Sequence, residues 1–483
     1  MEKFEQIKHL TFGDAVAEDE NELRRYFVET AEWKQVLSGE ADIILGPKGS
    51  GKSAIYSMIP NHKELIEHRI IPIQAENPTG KTAFAGLHSS TDITEGDLKE
   101  MWKIYFLTLI VKELDAKYPG DYFKETKKSL SAHGIIFSDR SSILQSIIGA
   151  IGKVKLAITE PNTGIVFSAE SNAFKPNSKF STAISIDDLW DSLEAELTKY
   201  NLTIWLLLDR LDSAFAGLPG LETSVLRALF RVYLDIRHIT HVSLKIFLRD
   251  DIWDTIVDGG FVEASHITKE VHLHWGRQEL LQLITRRIEE SAWYKMQHKG
   301  ITSSAKSTAD QEALFYSIFP RQVDSGTRRP STFDWVLSRT KDGKGINAPR
   351  ELIQFFSFVQ KRQMHHIEKG ADQIPKNSLF EPQAFKDAWS SVSETRLKKT
   401  IFAEYPKLRQ FITELKGQKA TQNLTSLASI WKLDAKQTKD TADDLVAIGF
   451  LEVGSAHGKQ TLRVPFLYWP ALGIIQGKAV LLD

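Results

Sequence analysis

Apolar and polar positions in the first half of the chain change period several times. Ile43-Ile44-Leu45, the stretch RIIPIQ from Arg69 to Gln74, Leu202–Leu208 and Leu244–Leu248 are short apolar runs of strand length. Such runs predict strands buried on both faces, the habit of parallel sheets. Between them the period lengthens. Leu98, Met101, Trp102, Tyr105, Phe106, Leu109, Ile110 and Leu114 recur at helical spacing and predict a helix over 97–114 with a wide apolar stripe. Ile186-Asp187-Asp188-Leu189-Trp190 opens another helix with acids in its first turn, where the helix dipole favours them, and Val225–Asp235 makes a third. Strands alternating with helices in this way predict an α/β fold, a parallel sheet flanked by helices.

Leu23, Tyr26 and Phe27, followed by Trp33, Val36 and Leu37, also lie at helical spacing. A helix there either covers a bound base or packs on a sheet edge. Residues 118–185 are less regular and read as a surface insertion. Within them Lys153–Ile158 and Gly164–Ser168 flank the turn signal Glu160-Pro161-Asn162-Thr163, which predicts a hairpin. From Trp275 onward helices dominate, among them 278–288, 332–339 and one that starts at Pro349, a residue suited to the first helical position. Pro375 and Pro382 mark a boundary. Beyond it, 408–415, 424–431 and 438–448 predict three short helices, and strands on either side of the turn Gly454–Gly458 predict a wing. The expected domains are therefore 1–273 with its insertion at about 118–185, a helical domain at 274–385 and a winged helix at 396–483.

Two stretches carry chemistry. Gly46-Pro47-Lys48-Gly49-Ser50-Gly51-Lys52-Ser53 follows the first apolar run directly, and Ala54–Met58 can continue as a helix. The octet fits G-x-x-x-x-G-K-[ST], the phosphate-binding loop. Its glycines let backbone N–H groups close around a phosphate that a Cβ would block, and the following helix points its positive end at the same anion. Gly46 to Ala54 are thus the expected nucleotide-binding residues. Lys52 would reach the outer phosphates, and the Ser53 hydroxyl would complete a Mg²⁺ shell. The second stretch is LTIWLLLDRLDSAF, in which an apolar strand ends at Asp209, at the edge where α/β sheets hold ligands. In this Walker B arrangement Asp209 would hold Mg²⁺ through water, and Asp212 would orient or deprotonate the attacking water. Arg249, at the end of the next apolar run, either reports the γ-phosphate or pairs with Asp250 or Asp251.

Composition narrows the setting. A chain of 483 residues with 42% hydrophobic and 25% charged residues reads as two to four globular domains. Its formal net charge of −1 announces no global field for nucleic acid. It has no cysteine, which removes disulfides, thiol catalysis and Cys-ligated zinc and suits a cytoplasmic protein. Met1–Gly13 is charged, so no secretory signal is expected, and no apolar run approaches the ~20 residues that span a bilayer.

Phosphate loop, the DRLD segment of Asp209 and Asp212, a strand ending in Arg249, a helical region and a winged helix together resemble the AAA+/STAND P-loop ATPases. DRLD is similar to the NACHT pattern, with a second acid three residues after the first. The resemblance implies an ATPase with ATP and Mg²⁺ as ligands, Lys52 and Ser53 as phosphate and metal residues, and Arg249 as sensor. It makes Arg350 a lid arginine toward the nucleotide. It further implies a homo-oligomer or an effector partner, in a group that commonly serves bacterial antiphage defence. AAA+ enzymes usually place Glu directly after the Walker B Asp, and here that residue is Arg210. Slow turnover, and hence a switch, is the expectation.

Rival readings are a DNA-binding module that uses ATP as a structural ligand and a scaffold for a partner. From Arg396 to the end there are 13 Lys/Arg against 8 Asp/Glu, with Lys432, Lys436, Lys439, Lys459 and Arg463 on the expected recognition helix and wing. That permits DNA without requiring it. Arg231 is readable as a finger toward a neighbouring subunit or as a helix-surface residue. His272 with His274 lacks an acid partner for a metal, and His365-His366 reads as solvated.

Overall fold

The computed structural model describes residues 3–17, 19–20, 22–75, 94–118, 123–132, 186–211, 219–297, 307–370, 374–375, 377–456 and 459–479. Most of the insertion, its expected hairpin and Asp212 lie outside the described residues. The chain divides into two compact units. One, the sheet unit, is Ala31–Pro47 with Lys52–Leu273; the other, the helical unit, is Met1–Thr30, Lys48–Gly51 and His274–Asp483.

The sheet unit is built on five strands, β1 (Ile43–Gly46), β2 (Ile70–Gln74), β3 (Thr203–Leu208), β4 (Val242–Arg249) and β5 (Glu270–His272). They lie in the order β2-β3-β4-β1-β5, and every pairing is parallel. Side chains alternate across the sheet. Ile43 and Leu45 join a core with the helices Glu95–Lys117, Ile186–Tyr200 and Pro219–Ile236, while Phe247 meets Tyr56 of the helix Lys52–Met58 edge-on at 5.8 Å. Helices thus flank the sheet, as its unalternated apolar strands require. The Glu95–Lys117 helix is buried well beyond a stripe, from Leu98 to Leu114, and Trp102 Nε1 donates to the Val225 carbonyl at 3.1 Å. A capping box of Thr94 and Asp97 starts it.

β1 is pinned to β4 at its amino end. Asp42, just before β1, accepts from the Lys245 ammonium at 2.7 Å and from the Tyr233 hydroxyl at 3.2 Å. Lys245 also donates to the Ala41 carbonyl at 2.8 Å and lies over the Trp205 ring at 4.3 Å. Burial pushes the Lys245 ammonium down and the Tyr233 hydroxyl up from their ordinary ranges.

The helical unit holds the helices Arg277–Glu290, Thr308–Ile318, Thr332–Thr340, Pro349–Glu368 and Pro382–Arg396. The N-terminal residues pack here. Ile7, Leu10 and Phe12 fill the core between these helices, with Phe12 against Phe356 at 5.5 Å. Gln360 donates to the Ile7 carbonyl at 2.8 Å. The rest of the unit is a winged helix: Arg409–Glu414, Leu424–Trp431 and Ala435–Ala447 with a sheet. Its strands are β6 (Lys419–Gln422), β7 (Glu452–Ala456), β8 (Lys459–Arg463) and β9 (Ile475–Lys478), ordered β7-β8-β6-β9. The expected two-stranded wing is therefore part of a four-stranded sheet. β9 is exposed along its whole length and so leaves no apolar signal in the sequence.

Hydrogen bonds tie the winged helix to the helices before it, that from Trp389 Nε1 to the Phe466 carbonyl at 3.0 Å among them. The Gly343 N–H donates to the Gly449 carbonyl at 2.7 Å. Arg396 forms a buried ion pair with Glu351 at 2.6 Å. Burial beside this pair pushes the Tyr468 hydroxyl up to about 12. Among the described residues, no helix is long and apolar enough to cross a membrane.

Candidate functional site

β1 runs straight into the glycine-rich octet. Gly49 and Gly51 take φ values of +84° and +100°, the left-handed region that a side chain makes costly. The chain then enters the helix Lys52–Met58, whose first turn holds Ser53 and Ala54 and no acid. The Lys52 ammonium curls back over the loop and donates to the carbonyls of Gly46 at 2.6 Å and Pro47 at 2.9 Å. A cation and the positive end of a helix therefore stand at one loop with no carboxylate in that helix.

Within the helical unit, the crest of the loop is held at consecutive residues. Trp275 Nε1 donates to the Ser50 carbonyl at 2.7 Å. The Arg350 N–H donates to the Gly49 carbonyl at 3.4 Å, and a Cβ on Gly49 would stand 3.0 Å from Arg350 Cβ and 3.6 Å from Glu351 Oε2. Lys48 Nζ pairs with Glu404 Oε1 at 2.6 Å. Ser50 is buried, and among the described residues its hydroxyl has no hydrogen-bond partner, nor have Arg350 Nε and Glu351 Oε2. Buried polar atoms without partners are uncommon in folded proteins, and here three gather around one loop crest.

In the sheet unit, Asp209 follows β3 at the carboxyl end and is 6% exposed. Arg210 has φ +58°, a left-handed backbone that a non-glycine residue adopts at a cost of about 1–2 kcal/mol. The residue that follows Asp209 is thus both basic and strained. Arg249 closes β4, level with Gly46 in the pairing of β1 and β4. Its guanidinium grips Asp251 with two hydrogen bonds, at 3.0 and 2.7 Å, while Asp250 meets His272 at 3.2 Å. Of the two readings of Arg249, its pairing is the one present here. Arg231 bridges Glu263, at 3.0 Å, and Glu95. Gly46, Asp209 and Arg249 stand at the carboxyl ends of three neighbouring strands, with β4 between β1 and β3.

The basic residues of the winged helix are less available than their number implies. Lys439 pairs with Asp443 at 2.6 Å, and Arg463 lies over the Phe466 ring at 4.8 Å. The helix Ala435–Ala447 carries Asp440, Asp443 and Asp444 against Lys436 and Lys439. The expected solvated His366 is instead half-buried between Glu381 and Asp387, its Nε2 standing 2.9 Å from Asp387 Oδ2. No cluster of three or more His, Cys, Asp or Glu suited to a metal occurs among the described residues. Trp275, Glu351 and Glu404 carry no local motif, since each meets the loop only through the tertiary fold.

No family model matches the sequence, and no curated protein does. Solved structures do. The Aeropyrum pernix ORC2 protein in ADPNP–ADP complexes is 13% identical, with 92% of this chain and 93% of that one covered and a TM-score of 0.46. The Aeropyrum pernix ORC1 protein in complex with DNA is 10% identical, with 92% of each chain covered and a TM-score of 0.36. Cdc6p from Pyrobaculum aerophilum is 11% identical, with 94% of this chain and 92% of that one covered and a TM-score of 0.29. At these values each is a distant likeness and assigns no activity.

Proposed function

We propose that this chain binds ATP with Mg²⁺ at Gly46–Ala54 and hydrolyses it slowly, as a nucleotide-dependent switch. The observation that carries this reading is the Lys52 ammonium over the loop's own carbonyls, between two left-handed glycines and a helix start free of acids. Backbone N–H groups there suit a phosphate, and Lys52 suits its outer oxygens.

Mg²⁺ fits the residues present. Ser53 and the buried Asp209 are oxygen donors, and two protein donors plus phosphates and water are the usual company of that ion. Bound there, the ion would neutralise charge that develops on the phosphates. Asp212 is our choice for the group that orients water, and Arg350 for the lid residue toward the outer phosphate. Arg210 in place of Glu supports slow turnover. By resemblance to the STAND group we extend the proposal to self-assembly, or an effector partner, in an antiphage setting. A sedimentation coefficient identical in ATP and ADP would remove the assembly.

The test is a titration with Mg·ATP and Mg·GTP beside a phosphate-release assay. Asp209→Asn should lose turnover and the Mg²⁺ dependence of binding while keeping much of its nucleotide affinity. Asp212→Asn should bind as the parent does and lose turnover about 10²-fold or more, the scale of general-base catalysis. No binding of either nucleotide at millimolar concentration would end the reading. Duplex DNA is not part of the proposal, because the helix Ala435–Ala447 carries more acids than bases.

A further inference from the structure

Two cations belong to the phosphate loop, Lys52 and Lys48. Lys52 rests on loop carbonyls, which carry no net charge. Lys48 rests on a carboxylate that lies 356 residues away in sequence. Glu404 is its one ion-pair partner among the described residues. The Glu404 side chain is only 14% exposed, against 39% for Lys48, so the carboxylate has given up most of its water at this contact.

The surroundings of Glu404 make the pairing stand out. Between Arg396 and Ile412 it is the single acid, among Arg396, Lys398, Lys399, Lys407 and Arg409. It ends a three-residue helical turn, Phe402–Glu404, which follows the π-turn Leu397–Ile401 and precedes Pro406. That short turn has no buried residue of its own. It joins the helix Pro382–Arg396 to the first helix of the winged helix, Arg409–Glu414. A carboxylate with this neighbourhood and this reach sits against a glycine-rich loop whose composition suits an anion.

We propose that Glu404 is an internal competitor for the phosphates of the nucleotide. In the nucleotide-free chain it neutralises Lys48, and a phosphate arriving at the loop takes Lys48 from it. The released Phe402–Tyr405 turn then reports occupancy to the junction between the helical region and the winged helix. This rests on the proposed binding of ATP at the loop and adds its regulation. No bond is made or broken covalently; one ion pair is exchanged for another.

The exchange predicts an affinity change of unusual sign. Glu404→Gln keeps the shape and removes the charge, so it should tighten Mg·ATP binding about two- to fivefold, the range of a half-exposed ion pair. Lys48→Ala should weaken binding, and adding Glu404→Gln to Lys48→Ala should change nothing further, since the two residues act on each other. In the parent chain, amide hydrogen exchange over residues 402–405 should rise when Mg·ATP is added. Equal or weaker binding by a folded Glu404→Gln protein overturns the proposal, and so does unchanged exchange over that turn. A parent chain that binds no ATP, or a Lys52→Ala protein that binds it undiminished, would instead overturn the ATP reading beneath it. Normal loss in Lys52→Ala with no gain in Glu404→Gln would strike Glu404 alone.

Discussion

Lys52→Ala should raise the dissociation constant for Mg·ATP by about 30-fold or more. Truncating one member of a charge-assisted contact that is shielded from water costs about 2–5 kcal/mol, and 1.4 kcal/mol is a factor of ten. The loss has two sources. The ammonium that would meet the outer phosphates is gone, and the Gly46 and Pro47 carbonyls, which accept from it at 2.6 and 2.9 Å, are left to water. The second source makes the loop less preformed, so the nucleotide must also order it. Lys52→Arg should fail as well, because a planar guanidinium cannot sit on those two carbonyls as a compact ammonium does. Calorimetric titration reads the affinity, and circular dichroism with thermal unfolding shows that the variant is folded. A folded Lys52→Ala protein within threefold of the parent would remove Lys52 from the site.

What could be read in advance, and what could not, follows from where each signal is stored. β1 and β3 are almost wholly apolar, and β4 is so but for Ser243, Lys245 and Arg249, because both faces of a parallel sheet are covered, so local composition betrays them. The octet Gly46–Ser53 and the strand-terminal Asp209 are equally local. β5 and β9 are different. Glu270 and His272 of β5 are exposed, as is all of β9, and both strands form because a neighbour offers hydrogen bonds. Nothing in EVH or IQGK records that offer. The same holds for the N-terminal stretch. Its helical spacing at Leu23, Tyr26 and Phe27, followed by Trp33, Val36 and Leu37, is met by two short helices, Leu23–Tyr26 and Ala31–Leu37, while its residues Ile7, Leu10 and Phe12 serve the helical unit. Glu404 is further still from legibility, since its meaning lies in a partner hundreds of residues earlier. The DRLD segment was legible as a motif, yet the left-handed backbone of Arg210 was not, because a positive φ in a non-glycine residue is imposed by surroundings.

A second large effect is expected away from the loop, at Asp42. Asp42→Ala should destabilise the sheet unit by about 3–5 kcal/mol, the cost of leaving a buried charge without its partner. Lys245 is 1% exposed, so once its carboxylate is gone only the Ala41 carbonyl and the Trp205 ring remain to it. Burial already pushes the Lys245 ammonium down, and Asp42 is what opposes that push. Lys245→Met should cost less. Asp42 would still accept from the Tyr233 hydroxyl at 3.2 Å, and Lys269 stands 3.9 Å away. The double variant Asp42→Asn with Lys245→Met should recover much of the loss, as apolar replacements of buried ion pairs commonly do. A chain of two units need not unfold in one step, so a single melting temperature is a poor measure. Hydrogen exchange at the β1 and β4 amides is the direct one, since these strands open together if the pair is what pins them. Because β1 delivers Gly46 to the phosphate loop, nucleotide affinity should fall along with that protection. Unchanged exchange in Asp42→Ala would mean that the strands are held by their apolar side chains alone.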